Sequence, residues 1–147
     1  MADRPDDVNA LFSIWLVARA TTDLLDRALA SSGLTADEYG AYSVLVREGS
    51  LTPSQLAEWM AAPATTVSSY LKRFEARGHV RRARDADDRR SSRVTLTAAG
   101  RRTHRAAAAR FRPALAAVVT ALGDDEARVQ QSLLRLRGAI DEVRSRL

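Results

Sequence analysis

From Leu51 to Thr97 the chain carries a start or stop signal at nearly every helix and strand boundary, and that punctuation leaves it few ways to fold. Thr52-Pro53-Ser54-Gln55 supplies a cap, a proline at the first helical position, where no amide donor is needed, and a glutamine that can reach back to the cap. Leu51 and Leu56 stand at the two positions that staple such a start. After a tight break at Ala61-Ala62, Pro63 opens a second helix that runs to Arg77 and stops at Gly78, the residue type that most easily takes a left-handed C-cap. Val80 to Arg84 and Ser92 to Leu96 read as strands around the turn segment Asp85-Ala86-Asp87-Asp88-Arg89-Arg90. A capped helix, a probe helix and a strand, arginine-rich turn and strand, in that order, spell a winged helix-turn-helix. The partner implied is double-stranded DNA.

The remainder reads as helical scaffold. Val8, Leu11, Phe12, Trp15 and Leu16, continuing through Arg19 to Leu29, follow helical spacing and predict a long first helix ending near Ser31-Ser32-Gly33. Thr35-Ala36-Asp37-Glu38 is a capping box with Leu34 and Tyr39 as its staple, and the helix it starts ends at Gly49. Thr97 caps a helix through about Ala121, in which Gly100 weakens the first turn and Pro113 is expected to kink the axis. After Leu122-Gly123-Asp124, the residues Val129, Leu133, Leu136, Ile140, Val143 and Leu147 alternate steps of four and three, the seam of a helix that packs on other helices. The fold class expected is mainly α with a small β-wing, a winged helix-turn-helix flanked by long N- and C-terminal dimerisation helices. As a single domain of residues 1–147, it divides into dimerisation helices at 1–33 and 98–147 and a DNA-binding region at 34–97.

Composition narrows the function classes. The chain has no cysteine, which excludes disulfides, thiolate metal sites and any cysteine-oxidation switch. His79 and His104 are its only histidines, too few ligands for a convincing metal site; His79 is expected to pack at the root of the wing and His104 to lie on the surface. No nucleophile with a base, paired acids or phosphate-cradling glycine loop stands out, so neither an enzyme nor a cofactor is expected. With no run of 18 apolar residues and a polar start, no membrane partner is expected and the cytoplasm is the expected compartment.

Charge is distributed unevenly. Residues 1–49 hold four arginines against eight acidic residues, residues 50–105 twelve basic against five acidic, and residues 106–147 seven against five. The positive charge therefore lies where the motif lies, as a phosphate-binding surface requires.

At this level of detail the chain resembles the MarR family, the multiple-antibiotic-resistance type of bacterial transcription regulator, over nearly its whole length. The most specific part is Asp88-Arg89-Arg90-Ser91-Ser92-Arg93-Val94-Thr95-Leu96-Thr97 followed by Gly100, similar to the family's wing pattern of Asp-x-Arg, then Val-x-Leu-Thr and a glycine. Thr66-Val67-Ser68, Leu71, Phe74-Glu75 and Arg77-Gly78 are similar to its recognition helix, with Phe74 where leucine is commoner.

Helix geometry sets Val67, Leu71 and Phe74 on one face, turned to the domain, which leaves Thr65, Ser69, Lys72 and Ala76 opposite and Thr66, Ser68 and Arg73 on the flanks. A helix of this size fits the major groove, where small hydroxylated side chains permit close approach. The candidate DNA contacts of this helix are Pro63, Ala64, Thr65, Thr66, Ser68, Ser69, Lys72 and Arg73. Those of the wing are Arg84, Asp88, Arg89, Arg90 and Arg93, one guanidinium of which can enter the narrow minor groove. The resemblance implies that Arg90 inserts and Asp88 orients it; an exposed pair that only stiffens the hairpin is the competing reading. The resemblance further implies a homodimer acting as a repressor at a pseudo-palindromic operator, with a small aromatic or phenolic effector wedged between scaffold and DNA-binding lobe. Trp15, Arg19, Tyr39, Tyr42 and Trp59 lie on helices that would border such a cleft, and each also reads as a packing residue. A sequence-indifferent architectural DNA binder would share the charge pattern and is the alternative left open.

Overall fold

The structure, a computed structural model, describes residues 9–84, 86–87 and 90–147. The elements are α1 (Ala10–Leu29), α2 (Ala36–Glu48), α3 (Pro53–Met60), α4 (Ala64–Ala76), β1 (Val80–Arg84), β2 (Ser92–Leu96), α5 (Ala98–Leu122), a 3-10 turn at Gly123–Asp125 and α6 (Glu126–Arg144). This is the mainly helical architecture with a two-stranded wing that the sequence predicts. Each early boundary has a local cause. Asn9 caps α1, its side-chain oxygen accepting from the amides of Leu11 and Phe12 at 3.0 Å each. Both capping boxes form, Thr35 with Glu38 and Thr52 with Gln55. The break after α3 is made by Ala61 in the left-handed region (φ 48°), an uncommon conformation for a residue with a Cβ. Its neighbour Ala62 donates back to the Ala57 carbonyl at 3.0 Å, so the turn that joins α3 to α4 is only a few residues long.

Two compact units are distinguished along the chain, one ending at Phe111 and one comprising Arg112–Leu147. The first holds the core: Leu29, Leu34, Ala41, Tyr42, Leu45, Leu51, Leu56, Val67, Leu71, Phe74, Val80, Val94, Leu96 and Ala107. Tyr42 and Phe74 meet edge to face with ring centroids 4.5 Å apart, which locks α2 to α4. The carboxylate of Asp26 on α1 accepts from the Ala36 amide at 2.7 Å and ties α1 to the first turn of α2.

The strands pair antiparallel with Val80 opposite Leu96, Arg82 opposite Val94 and Arg84 opposite Ser92. Leu51 adds a bridge to Val94, so the segment before α3 is stitched to the wing by two backbone hydrogen bonds of 2.7 and 3.2 Å. Val80, Val94 and Leu96 turn inward while the arginines of β1 face solvent. At the wing's root Gly78 takes φ 70° and ends α4. Thr97 then fastens the return: its hydroxyl donates to the Gly78 carbonyl at 2.7 Å and accepts from the Gly100 amide at 3.1 Å, capping α5. Gly100, expected only to weaken that first turn, is buried where a Cβ would run into the His79 carbonyl oxygen. Its lack of a side chain is what lets α5 start against the wing.

In the second unit α5 continues without interruption past Pro113, and the 3-10 turn leads into α6. None of residues 112–147 is buried. Leu115, Val118, Val119 and Leu122 of α5 and Val129, Leu133, Leu134 and Val143 of α6 are all exposed apolar side chains. The first unit has a comparable patch on α1, where Leu11, Phe12, Trp15, Leu16 and Val17 are exposed and Phe12 stacks on Trp15 at 6.1 Å.

Candidate nucleic-acid interface

α4 is amphipathic in the way its sequence dictates. Val67, Leu71 and Phe74 are fully buried, and the reverse side of the helix, with Pro63, Ala64, Thr65, Ser68, Ser69 and Lys72, is exposed; Thr66 is half-buried at the flank. The exposed face is narrow in volume and rich in hydroxyls, with Lys72 as its cation. A groove floor could be approached closely along it. Pro63 occupies the cap position of the helix and supplies no side-chain hydrogen bond, so the amides of the first turn are left for an outside acceptor.

Arg73 does not share that freedom. Its Nε lies 3.3 Å from the Oε1 of Glu38 on α2, and its guanidinium sits 5.0 Å over the Tyr70 ring. Arg77, one turn further, grips the same carboxylate with both terminal nitrogens at 3.3 Å. Neither contact was legible in the sequence, where Glu38 stands only as the capping-box acid. The available signal was the spacing of Arg73 and Arg77, which puts two guanidiniums on one side of α4 within reach of a single acid.

The wing presents its arginines unequally. Arg84 ends β1 exposed, and Arg90 is exposed in the turn. Asp88 and Arg89 lie outside the described residues. Arg93, a candidate DNA contact by sequence, is half-buried and turned inward: its Nε donates to the Ser50 hydroxyl at 2.9 Å and a terminal nitrogen to the Ser50 carbonyl at 2.8 Å. It fastens β2 to the segment leading into α3. Arg82, not singled out by sequence, pairs with Glu75 of α4 at 2.7 Å and so joins the wing to that helix.

Behind the helix lies a polar chain. The Tyr42 hydroxyl is 2.9 Å from the Nδ1 of His79, whose Nε2 is 3.4 Å from the Thr103 hydroxyl on α5. Burial raises the Tyr42 hydroxyl above its ordinary value despite the pull of Arg77, so it stays protonated and can donate to His79. Burial, reinforced by the Arg77 charge, lowers His79. His79 is thus the wing-root residue the sequence predicts. His104 departs from expectation: it is half-buried, stacked on Tyr39 with centroids 5.2 Å apart and hydrogen-bonded to the Ser43 hydroxyl at 3.0 Å. Both partners, Tyr39 and Ser43, lie on α2, and burial lowers the His104 imidazole as well.

The candidate effector residues are not gathered into one place. Tyr42 is wholly inside the core. Tyr39 packs on His104 and, edge-on, on Phe111 at 6.2 Å, while Trp59 lies under the Arg47 guanidinium at 5.3 Å. Trp15 and Arg19 are exposed on the part of α1 preceding Leu25, the first of its residues to meet the core. Among the described residues no cluster of three or more histidine or acidic side chains is placed to hold a metal ion, and no helix is long and apolar enough to cross a membrane.

Comparison with known proteins accords with this geometry. A sequence model of the MarR family matches residues 32–91, the segment from the end of α1 into the wing. The chain is 35% identical over 95 residues to the HTH-type transcriptional regulator TtmR of Methylorubrum extorquens, covering 65% of this chain and 49% of that protein. It is 34% identical over 106 residues to the HTH-type transcriptional regulator PecS of Dickeya dadantii, covering 67% of this chain and 63% of that protein. It therefore spans about half to under two thirds of the length of these curated relatives. Among solved structures, the transcriptional regulator MOSR of M. tuberculosis in complex with DNA superposes with a TM-score of 0.78 at 31% identity, over 93% of this chain and 99% of that one. With the family model matched over 32–91 and a fold shared with MOSR along nearly the whole chain, the chain belongs to the MarR family.

Proposed function

We propose that the protein is a sequence-specific DNA-binding transcription regulator: a homodimer that represses from a pseudo-palindromic operator, α4 in the major groove and Arg90 at the tip of the wing in the minor groove. The observation that carries this reading is the division of α4 into a buried Val67, Leu71 and Phe74 face and an exposed face of Thr65, Ser68, Ser69 and Lys72. A helix that only filled space would need no such hydroxylated, exposed side beside a basic hairpin. That MOSR, similar along almost its full length, was crystallised with DNA supports the same partner. Its place of action would be the bacterial cytoplasm, bound at the nucleoid.

Dimerisation is supported by the large apolar side chains of α1, α5 and α6 that a single chain leaves exposed. Residues 1–33 and 98–147 serve as the dimerisation helices of one domain and 34–97 as its DNA-binding region. A small aromatic or phenolic effector, if it acts, would bind the free dimer preferentially and shift the spacing of the two reading helices. Tyr39, Trp59, Trp15 and Arg19 are the side chains left for it, since Tyr42 is committed to the core.

Nuclease protection on genomic and random DNA tests the reading. Discrete protected inverted repeats are the expected result; uniform coating would replace it with an architectural role. The effector is tested by a panel of aromatic acids and phenols, at least one of which should raise the melting temperature of the free protein and weaken operator binding.

A further inference from the structure

Glu38 carries more contacts than a capping acid needs. Its side chain is 4% exposed; it accepts from the Thr35 amide at 3.3 Å and from Arg77 through both oxygens at 3.3 Å, and it forms an ion pair with Arg73 at 3.3 Å. A buried carboxylate is costly unless paired, and here α4 supplies the pairing from two successive turns. Arg73 is held from a second side by Tyr70, whose hydroxyl donates to Asp37, the residue next to Glu38, at 3.2 Å. Two acids of the first turn of α2 thus face the basic flank of the reading helix.

We propose that Glu38 is a positioning residue for DNA reading: by gripping Arg73 and Arg77 it fixes the rotation of α4 and withholds Arg73 from the phosphates. The inference rests on the regulator reading above. Its physical content is that a guanidinium neutralised by a carboxylate releases few counterions from DNA, so one arginine on the flank of the reading helix adds little sequence-independent affinity. The exposed face then offers Lys72 as its cation beside Thr65, Ser68 and Ser69, and base contacts decide more of the outcome. Freed, Arg73 would add a phosphate contact on every sequence alike.

The test is a cycle of three variants, Glu38→Gln, Arg73→Gln and the pair together, with affinity measured against salt on a protected genomic fragment and on random DNA. Glutamine keeps the shape and the capping contact of Glu38 and removes only its charge. Glu38→Gln should steepen the slope of log affinity against log salt by about one per subunit, raise random-DNA affinity roughly fivefold or more at 0.1 M salt, and lower the ratio of specific to random binding. Arg73→Gln alone should leave slope and affinity within about twofold of wild type, and in the Glu38→Gln background it should restore the wild-type slope. A merely structural Glu38 would not make its effect on salt slope depend on Arg73. The proposal is overturned if Glu38→Gln binds like wild type, or if Arg73→Gln alone makes the slope shallower by about one per subunit. Should Glu38→Gln unfold, Arg73→Gln decides alone, because its side chain is half exposed and its loss leaves the core intact. Wild-type protein that binds neither DNA defeats the regulator reading itself, whereas wild type that binds with an unresponsive Glu38→Gln slope defeats only the role of Glu38.

Discussion

Protonation of a half-buried imidazole is the most direct way to perturb this wing. His79 and His104 are both held below the ordinary value of 6.5, each by burial first and His79 also by Arg77. The unfolded chain therefore takes up these protons at higher pH than the folded one, and stability is fully present above about 6.5 and lost as pH falls below it. Melting temperature should drop between pH 6.5 and 5, and His79→Gln together with His104→Gln should flatten that drop; an unchanged slope in the double variant would refute the assignment. Gly100 is a second sensitive residue. Gly100→Ala sets a methyl group against the His79 carbonyl, and a forced shift at such a packed site costs about 1–3 kcal/mol, read as a lowered urea midpoint with an unchanged m-value. The sequence marks Gly100 and His79 as residues of note but not as each other's neighbours, because their approach is set by the strand hairpin between them.

Elements were legible where their causes are local. Both capping boxes, the Pro53 start and the Gly78 stop involve residues at most a few positions apart, and all four are where the sequence places them. The buried face of α4 was equally legible, since 3.6-residue periodicity alone identifies Val67, Leu71 and Phe74. What periodicity could not supply was the destination of long polar side chains. Arg73 and Arg93, candidate DNA contacts by sequence, also pair with Glu38 and Ser50, 35 and 43 residues away. The two elements proposed to touch DNA should also fail differently. Arg90→Ala should lower affinity on all related operators by about 1–3 kcal/mol and make the salt slope shallower by roughly one per wing. Lys72→Ala and Ser69→Ala should instead relax preference at particular base pairs and leave random-DNA binding near normal. Competition against single-base operator variants at two salt concentrations separates the two patterns; equal weakening on every sequence by the helix variants would mean that α4 grips phosphate only.

On the scale of the whole molecule, the exposed apolar side chains set what a single chain can do alone. Leu133 and Trp15 are 41% and 57% exposed, so replacing either by Asp removes little from the fold of one chain. The same charges placed in a helix interface between copies would be buried without partners and should abolish it. Sedimentation of Leu133→Asp/Trp15→Asp should give a folded monomer that no longer protects an operator, where wild type sediments as a dimer at micromolar concentration. A wild-type monomer that binds DNA would overturn the dimeric reading. The seam on α6 was readable from its alternating spacing, but the patch on α1 was readable only in outline. Apolar residues spaced along a helix look alike whether they face their own domain or another copy.

The exposed side of α4 bears on the history of such a chain. Thr65, Ser68, Ser69 and Lys72 contribute nothing to the core, so each can be exchanged singly without jeopardising folding. After a gene duplication, two copies could come to recognise different promoters within a few substitutions while keeping the same shape. Arg77, gripping the buried Glu38 of another helix with both terminal nitrogens, has no such latitude: it and Glu38 must change together or stay. Divergence among descendants should therefore run fast along one side of this helix and slowly along its flank.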